Sequence, residues 1–138
     1  MKGKRNLSAM VMAGLLLLPV GGLWAEIVCD KEPPLKPVRC VCGEIIDQTG
    51  VPVSGATVKV IRDGRDLETA KTAGDGKFIF AGLESGNYEL VAQADPNTFR
   101  IFRSPIVVAS PAKKCRRGLV IMLVVGGGEN CGSHVMRR

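Results

Sequence analysis

The stretch GEIIDQTGVPVSGATVKVIRDGRDLETAKTAGDGKFIFAGLESGNYEL, Gly43 to Leu90, carries three turn signals in succession, and they decide the fold. Asp47-Gln48-Thr49-Gly50 precedes Pro52 and the alternating segment ATVKVI from Ala56 to Ile61. Gly74-Asp75-Gly76 precedes Phe78 and Phe80, with Leu83 close behind. Ser85-Gly86-Asn87 precedes Tyr88, Leu90 and Ala92 on one face of a further alternating run. Gly, Asp or Asn beside a period-two apolar segment marks a strand entering or leaving a tight turn. The stretch therefore reads as a run of antiparallel hairpins, with turns at Asp63-Gly64 and at Asp75-Gly76, the latter a two-residue turn needing positive φ.

Working outward, Arg39 to Asp47 alternates, with Val41, Gly43 and Ile45 on one face and Cys40, Cys42, Glu44 and Ile46 on the other. Leu67 to Thr72 is a more polar strand. Thr98 to Ala109 holds two apolar stretches split by Ser104-Pro105, read as one bent strand or two short ones. Leu119 to Val125 (LVIMLVV) is continuously apolar, too short to span a bilayer and suited to a central strand buried on both faces. Gly126-Gly127-Gly128 ends it and opens a Gly-rich tail, 126–138, expected to be flexible except where Cys131 ties it down. A chain of 138 residues is one domain by length, and frequent Gly and Pro with few helical windows make it all-β.

The N-terminus has the layout of a secretory signal peptide. Lys2, Lys4 and Arg5 are followed by the apolar run MVMAGLLLLPV and by Leu23-Trp24-Ala25, with Glu26 opening a polar segment. Cleavage is expected after Ala25, leaving no transmembrane span and placing the chain in the periplasm or outside the cell. Residues 26–38, with Pro33, Pro34 and Pro37, form an extended lead-in, and 39–125 form the domain. The chain has 19 Lys and Arg against 13 Asp and Glu; losing Lys2, Lys4 and Arg5 leaves 16 against 13, a net of +3. So mild a charge is a statement about solubility, and no nucleic-acid partner is expected.

An ordered set of residues carries a family resemblance: Gly43, Ile45, Asp47, Gly50, Pro52, Gly55-Ala56, Val58 and Val60, then Thr72, Asp75-Gly76, Phe78 and Phe80, then Leu83, Gly86, Tyr88 and Leu90. The set resembles the carboxypeptidase regulatory-like domain, a transthyretin-like (prealbumin-like) family, over roughly Arg39 to Val125. The resemblance implies a seven-stranded Greek-key β-sandwich, transthyretin-like or Ig-like and akin to carbohydrate-binding folds. It also implies a module usually without catalytic residues of its own. Such domains accompany peptidases, outer-membrane receptors and surface proteins. In this sandwich the first and last strands are neighbours, so Cys115 is expected to bridge Cys40 or Cys42.

All five cysteines, Cys29, Cys40, Cys42, Cys115 and Cys131, follow the expected cleavage site, and in an oxidising compartment disulfides are the ordinary reading. Cys29 with Cys131 would clip the two tails. An odd count leaves one thiol and allows a disulfide-linked dimer. Cys40-x-Cys42 lacks the two-residue gap of zinc ribbons, and a redox role wants a Cys-x-x-Cys pair, so neither metal nor cofactor is expected.

No catalytic constellation appears. The only His, His134, lies in the tail, and nucleophilic hydrolysis needs a His base. Asp63 and Asp66 sit in a hairpin turn and read as solvated carboxylates. The basic run Lys113, Lys114, Arg116, Arg117 is either a patch for anionic envelope polymers or head groups, or, more plainly, a charged flank guarding the apolar strand that follows. It lacks the interleaved aromatics of a single-stranded nucleic-acid binder. The expected function is a non-catalytic exported module that binds an envelope polysaccharide or a protein partner. The alternative is a structural, disulfide-stapled subunit of a surface assembly.

Overall fold

The computed structural model describes residues 35–126 and 134–137. The expected signal peptide, most of the lead-in, Cys29 and Cys131 lie outside the described residues. No helix occurs among the described residues, so none there is long and apolar enough to cross a membrane. The chain forms β1 (Val41–Asp47), β2 (Thr57–Arg62), β3 (Arg65–Lys71), β4 (Lys77–Phe80), β5 (Gly86–Gln93), β6 (Phe102–Val108), β7 (Leu119–Leu123) and β8 (His134–Arg137). One sheet has the order β4-β1-β7-β8 and the other β3-β2-β5-β6. The seven strands read from the sequence are β1 to β7. The eighth falls in the segment read as tail and pairs antiparallel with β7, Ile121 opposite Val135.

Strand alternation builds the core, because successive side chains on a strand point to opposite faces. Val41 and Ile45 of β1, Phe78 and Phe80 of β4, and Leu119, Ile121 and Leu123 of β7 face inward from one sheet. Val58 and Val60, Leu90 and Ala92, and Phe102, Ile106 and Val108 face them from the other, and all join one cluster. Thr72 is buried among the apolar side chains. Its hydroxyl donates to the Val53 carbonyl at 2.7 Å and accepts from the Ala56 N–H at 2.9 Å, which satisfies the backbone where the chain passes from one sheet to the other. Tyr88 is buried with its hydroxyl donating to the Glu84 carbonyl at 2.7 Å.

The hairpin reading of Gly43 to Leu90 needs correction. Only β2–β3 closes as a hairpin within that stretch, through Asp63 and Gly64, both at positive φ. After β3 the chain crosses to the other sheet, and β4 pairs antiparallel with β1, Phe78 opposite Gly43. After β4 it crosses back to β5. Turn chemistry at Asp75-Gly76 fixes a local reversal but not which strand the next segment joins, and the core-facing phenylalanines of β4 found their partner in β1. Gly76 itself sits at φ 73°, accepts from the Ile45 N–H at 2.9 Å, and has no room for a Cβ against the Ile45 carbonyl.

Pro105 does not split its strand. β6 runs unbroken at a sheet edge, where a missing N–H costs no ladder bond. The lead-in covers part of that edge: the Val38 N–H donates to the Val107 carbonyl and the Ala109 N–H to the Val38 carbonyl, both at 2.8 Å, with the Val38 side chain in the core.

The two middle strands β1 and β7 run parallel, Gly43 opposite Leu119 and Ile45 opposite Ile121. At their start the backbones lie so close that a Cβ on Gly43 would run into the Leu119 carbonyl, and one on Gly118 would stand 3.2 Å from the Gly43 Cα. Gly43 is therefore required by close approach rather than by its own torsion angles.

Three aspartates cap turns on the surface. Asp47 Oδ1 accepts from the Thr49 hydroxyl at 2.6 Å and from the Thr49 and Val51 N–H groups at 2.8 and 3.0 Å. Asp75 binds the Lys77 ammonium at 2.9 Å, and Asp95 accepts from the Thr98 hydroxyl at 2.8 Å. Each partner favours the ionised carboxylate, so all three titrate below the ordinary Asp range: Asp47 chiefly through Thr49, Asp75 through Lys77 and Asp95 through Thr98. A depressed folded-state value means stability that is present above the unfolded value, about 3.9, and is lost as pH falls through the folded values. Thermal melts at pH 7 and at pH 3 should show lower stability in acid. Replacing Asp47, Asp75 and Asp95 together with Asn should flatten that loss; an unchanged acid slope would contradict the assignment.

Candidate functional site

The parallel pairing of β1 with β7 fixes what lies just before each strand. Cys40 and Cys42 share the outward face of the β1 segment because they are two residues apart, and Cys115 arrives three residues before Gly118. The three sulfurs meet there, all within 4.8 Å of one another and each residue partly exposed. Cys115 Sγ is in disulfide contact with both Cys40 and Cys42, with Cα–Cα separations of 5.5 and 6.4 Å. A sulfur forms only one disulfide, so Cys115 has two alternative partners. The sequence left that choice open.

The loop carrying Cys115 is held by the lead-in as well as by sulfur. The Ala112 N–H donates to the Arg39 carbonyl at 2.8 Å, and Arg39 Nε donates to the Ser110 carbonyl at 3.1 Å. Ser110 takes φ 49°, a left-handed conformation that turns the loop back over Arg39. Between loop and lead-in lies a cleft of about 580 Å³ lined by Val38, Arg39, Cys40, Ala112, Lys113, Lys114, Arg116 and Arg117. Five of these side chains are cationic and none is a carboxylate.

The basic run read from the sequence thus forms one wall of a concave site. Arg39, absent from that reading, completes the site. It lies 74 positions before Lys113 in the chain, and only the Cys40–Cys115 proximity could have placed it there. A second cleft, about 470 Å³, opens beside Cys42, with Glu44, Lys77, Phe78, Ile79 and Arg116 among its other lining residues.

The remaining carboxylates named from the sequence stand elsewhere. Asp66 is ion-paired with Lys59 at 2.6 Å on the exposed β2–β3 surface, and Asp63 occupies the tip of that hairpin. Asp75 is engaged by Lys77. None of them faces the cationic cleft.

Two four-stranded sheets packed face to face with the first and seventh strands parallel define a class, the transthyretin-like β-sandwiches. The structure is similar to that of Klebsiella pneumoniae 5-hydroxyisourate hydrolase, with a TM-score of 0.54 and 23% identity over 72% of this chain and 98% of that one, a likeness of fold. The family model for the carboxypeptidase regulatory-like domain matches residues 41–109, from the start of β1 to just past β6. The chain belongs to that family. No curated protein matches it significantly.

The shared Cys115 leads to an asymmetric expectation for stability. Either bridge closes a loop spanning 73 to 75 residues, and such a closure contributes about 4 kcal/mol in the chain-entropy account. Urea unfolding of the oxidised protein should find Cys115→Ser strongly destabilised, because both bridges are lost. Cys40→Ser and Cys42→Ser should each cost much less, because the other partner takes over. Equal losses in all three variants would contradict the alternative pairing.

Proposed function

We propose that the protein is an exported, non-catalytic interaction module that binds an anionic polymer, an acidic envelope polysaccharide in the first instance, in the cleft between Arg39 and the Lys113–Arg117 loop. The observation that carries this reading is the cleft's composition: five cationic side chains on a concave surface without a carboxylate to neutralise them. Concentrated charge of one sign in a concave site raises the local concentration of the opposite sign and orients it. The walls are fixed by backbone hydrogen bonds and by the cysteines, so little order has to be imposed on binding.

Two further observations favour charge over sugar stacking and over catalysis. Phe78, Phe80, Tyr88 and Phe102 are all buried, and Phe99 packs partly against the core, so the described residues present no aromatic platform. The three aspartates with lowered pKa values hold turns rather than line the cleft. Export rests on the signal-like N-terminus.

Co-sedimentation with polygalacturonate, and with dextran as the neutral control, tests the reading. Binding to polygalacturonate should saturate and persist at about 0.15 M salt, where the Debye length is about 8 Å, and dextran should not bind. The double change Lys113→Glu with Arg116→Glu should weaken binding about tenfold or more. Equal retention on dextran, or a variant that binds like the parent, would overturn it.

A further inference from the structure

The sulfurs of Cys40, Cys42 and Cys115 lie within 4.8 Å of one another, and Cys115 can bridge only one of its two neighbours at a time. With Cys29 paired to Cys131, as expected from the sequence, the other neighbour is a thiol beside a disulfide. The sequence carries no Cys-x-x-Cys to announce this; the third sulfur arrives from 73 to 75 residues away. A closed structural zinc site takes four ligands, and among the described residues no fourth His, Cys, Asp or Glu joins the three. The arrangement fits sulfur exchange better than metal capture.

The two candidate thiols do not see the same surroundings. Cys40 opens on the cleft walled by Arg39, Lys113, Lys114, Arg116 and Arg117. Cys42 opens on the neighbouring cleft, where the carboxylate of Glu44 stands with Lys77 and Arg116. Positive charge stabilises a thiolate over a thiol, and the thiolate is the nucleophile. We propose that Cys40, Cys42 and Cys115 form a thiol–disulfide exchange site, with Cys42–Cys115 as the resting bridge and Cys40 as the attacking thiolate, selective for small disulfides that carry carboxylates.

In the exchange step the Cys40 thiolate forms a bond to one sulfur of the incoming disulfide RS–SR. The RS–SR bond breaks, its electron pair leaves on the second sulfur as RS⁻, and that anion takes a proton from water. One disulfide is consumed and one mixed disulfide is formed, so no oxidant or reductant is required. The same step can run inside the chain: Cys40 attacks Cys115, Cys42 leaves as thiolate, and the free thiol passes from the cleft of five cations to the one that holds Glu44, without net oxidation. The site shares its cleft with the polymer reading but does not depend on it, because capturing a small disulfide requires no polymer.

The test uses the oxidised full chain with 5,5′-dithiobis(2-nitrobenzoate) as the anionic disulfide and cystamine as the cationic one. Rates are normalised to those of free cysteine, and adducts are located by non-reducing peptide mass mapping. The anionic probe should label Cys40. Its normalised rate should exceed that of cystamine by about tenfold at low ionic strength, the ratio shrinking as salt rises past about 0.15 M. Lys113→Glu should slow the anionic reaction. Cys40→Ser should remove the adduct, and Cys42→Ser should remove it as well by locking Cys40 to Cys115. Labelling of Cys42 instead, labelling confined to Cys29 or Cys131, equal normalised rates for the two probes, or a native mass showing a metal held on three reduced thiols would each overturn the proposal.

Discussion

The close parallel approach of β1 and β7 at Gly43 is the constraint on which the rest of the site depends. Parallel strands cannot be joined by a tight turn, so this pair is made by segments more than 70 residues apart, after the chain has visited the other sheet and returned. The absence of side chains at Gly43 and Gly118 lets the two backbones meet, and the Leu119 carbonyl occupies the space that a Cβ would take. That contact sets the register, and register puts Cys115 over the face shared by Cys40 and Cys42. A neighbouring consequence is the cationic cleft, since Arg39 and the Lys113–Arg117 loop flank those same cysteines.

Rigidity in this region comes from several independent sources acting on few residues. The lead-in is tied to β6 through Val38 and to the basic loop through Arg39, each by backbone hydrogen bonds of 2.8 Å. A disulfide to Cys115 adds a covalent limit whichever partner it takes. Charge repulsion among five cations would otherwise spread the loop away from the lead-in, so the fixed backbone keeps the charges concentrated. Concentrated charge on a fixed surface is what recognition of anions needs, and it is also what keeps a thiolate reactive.

Much of the fold was legible because burial imposes a period of two. Val41 with Ile45, Val58 with Val60, Phe78 with Phe80, and Tyr88 with Leu90 and Ala92 all face the core as their alternation indicated. The neighbourhood of the first strand and β7 followed from the family resemblance, but the pairing of β4 was not legible: the Asp75-Gly76 turn looks the same whether β4 folds back on β3 or crosses to β1. Residues 134–137 gave no alternating apolar signal after the glycine run, so β8 was read as tail. Of the candidate site, the run Lys113 to Arg117 was visible as local charge. Arg39 was not, because its membership is created entirely by tertiary structure. The ambiguity between Cys40 and Cys42 was legible in advance and has a physical origin, since residues two apart on a strand share one face.

The most direct measurement is disulfide mapping of Gly43→Ala after oxidative refolding from the reduced chain, compared with the parent protein. A methyl group at this position must push β1 away from Leu119, a strain of about 1 to 3 kcal/mol for an overpacked site. The account predicts that the parent recovers Cys115 linked to Cys40 or Cys42, whereas the variant shows a clear loss of both links and lower thermal stability. A variant that recovers the parent's pairing at full yield would contradict the claim that this backbone contact assembles the site.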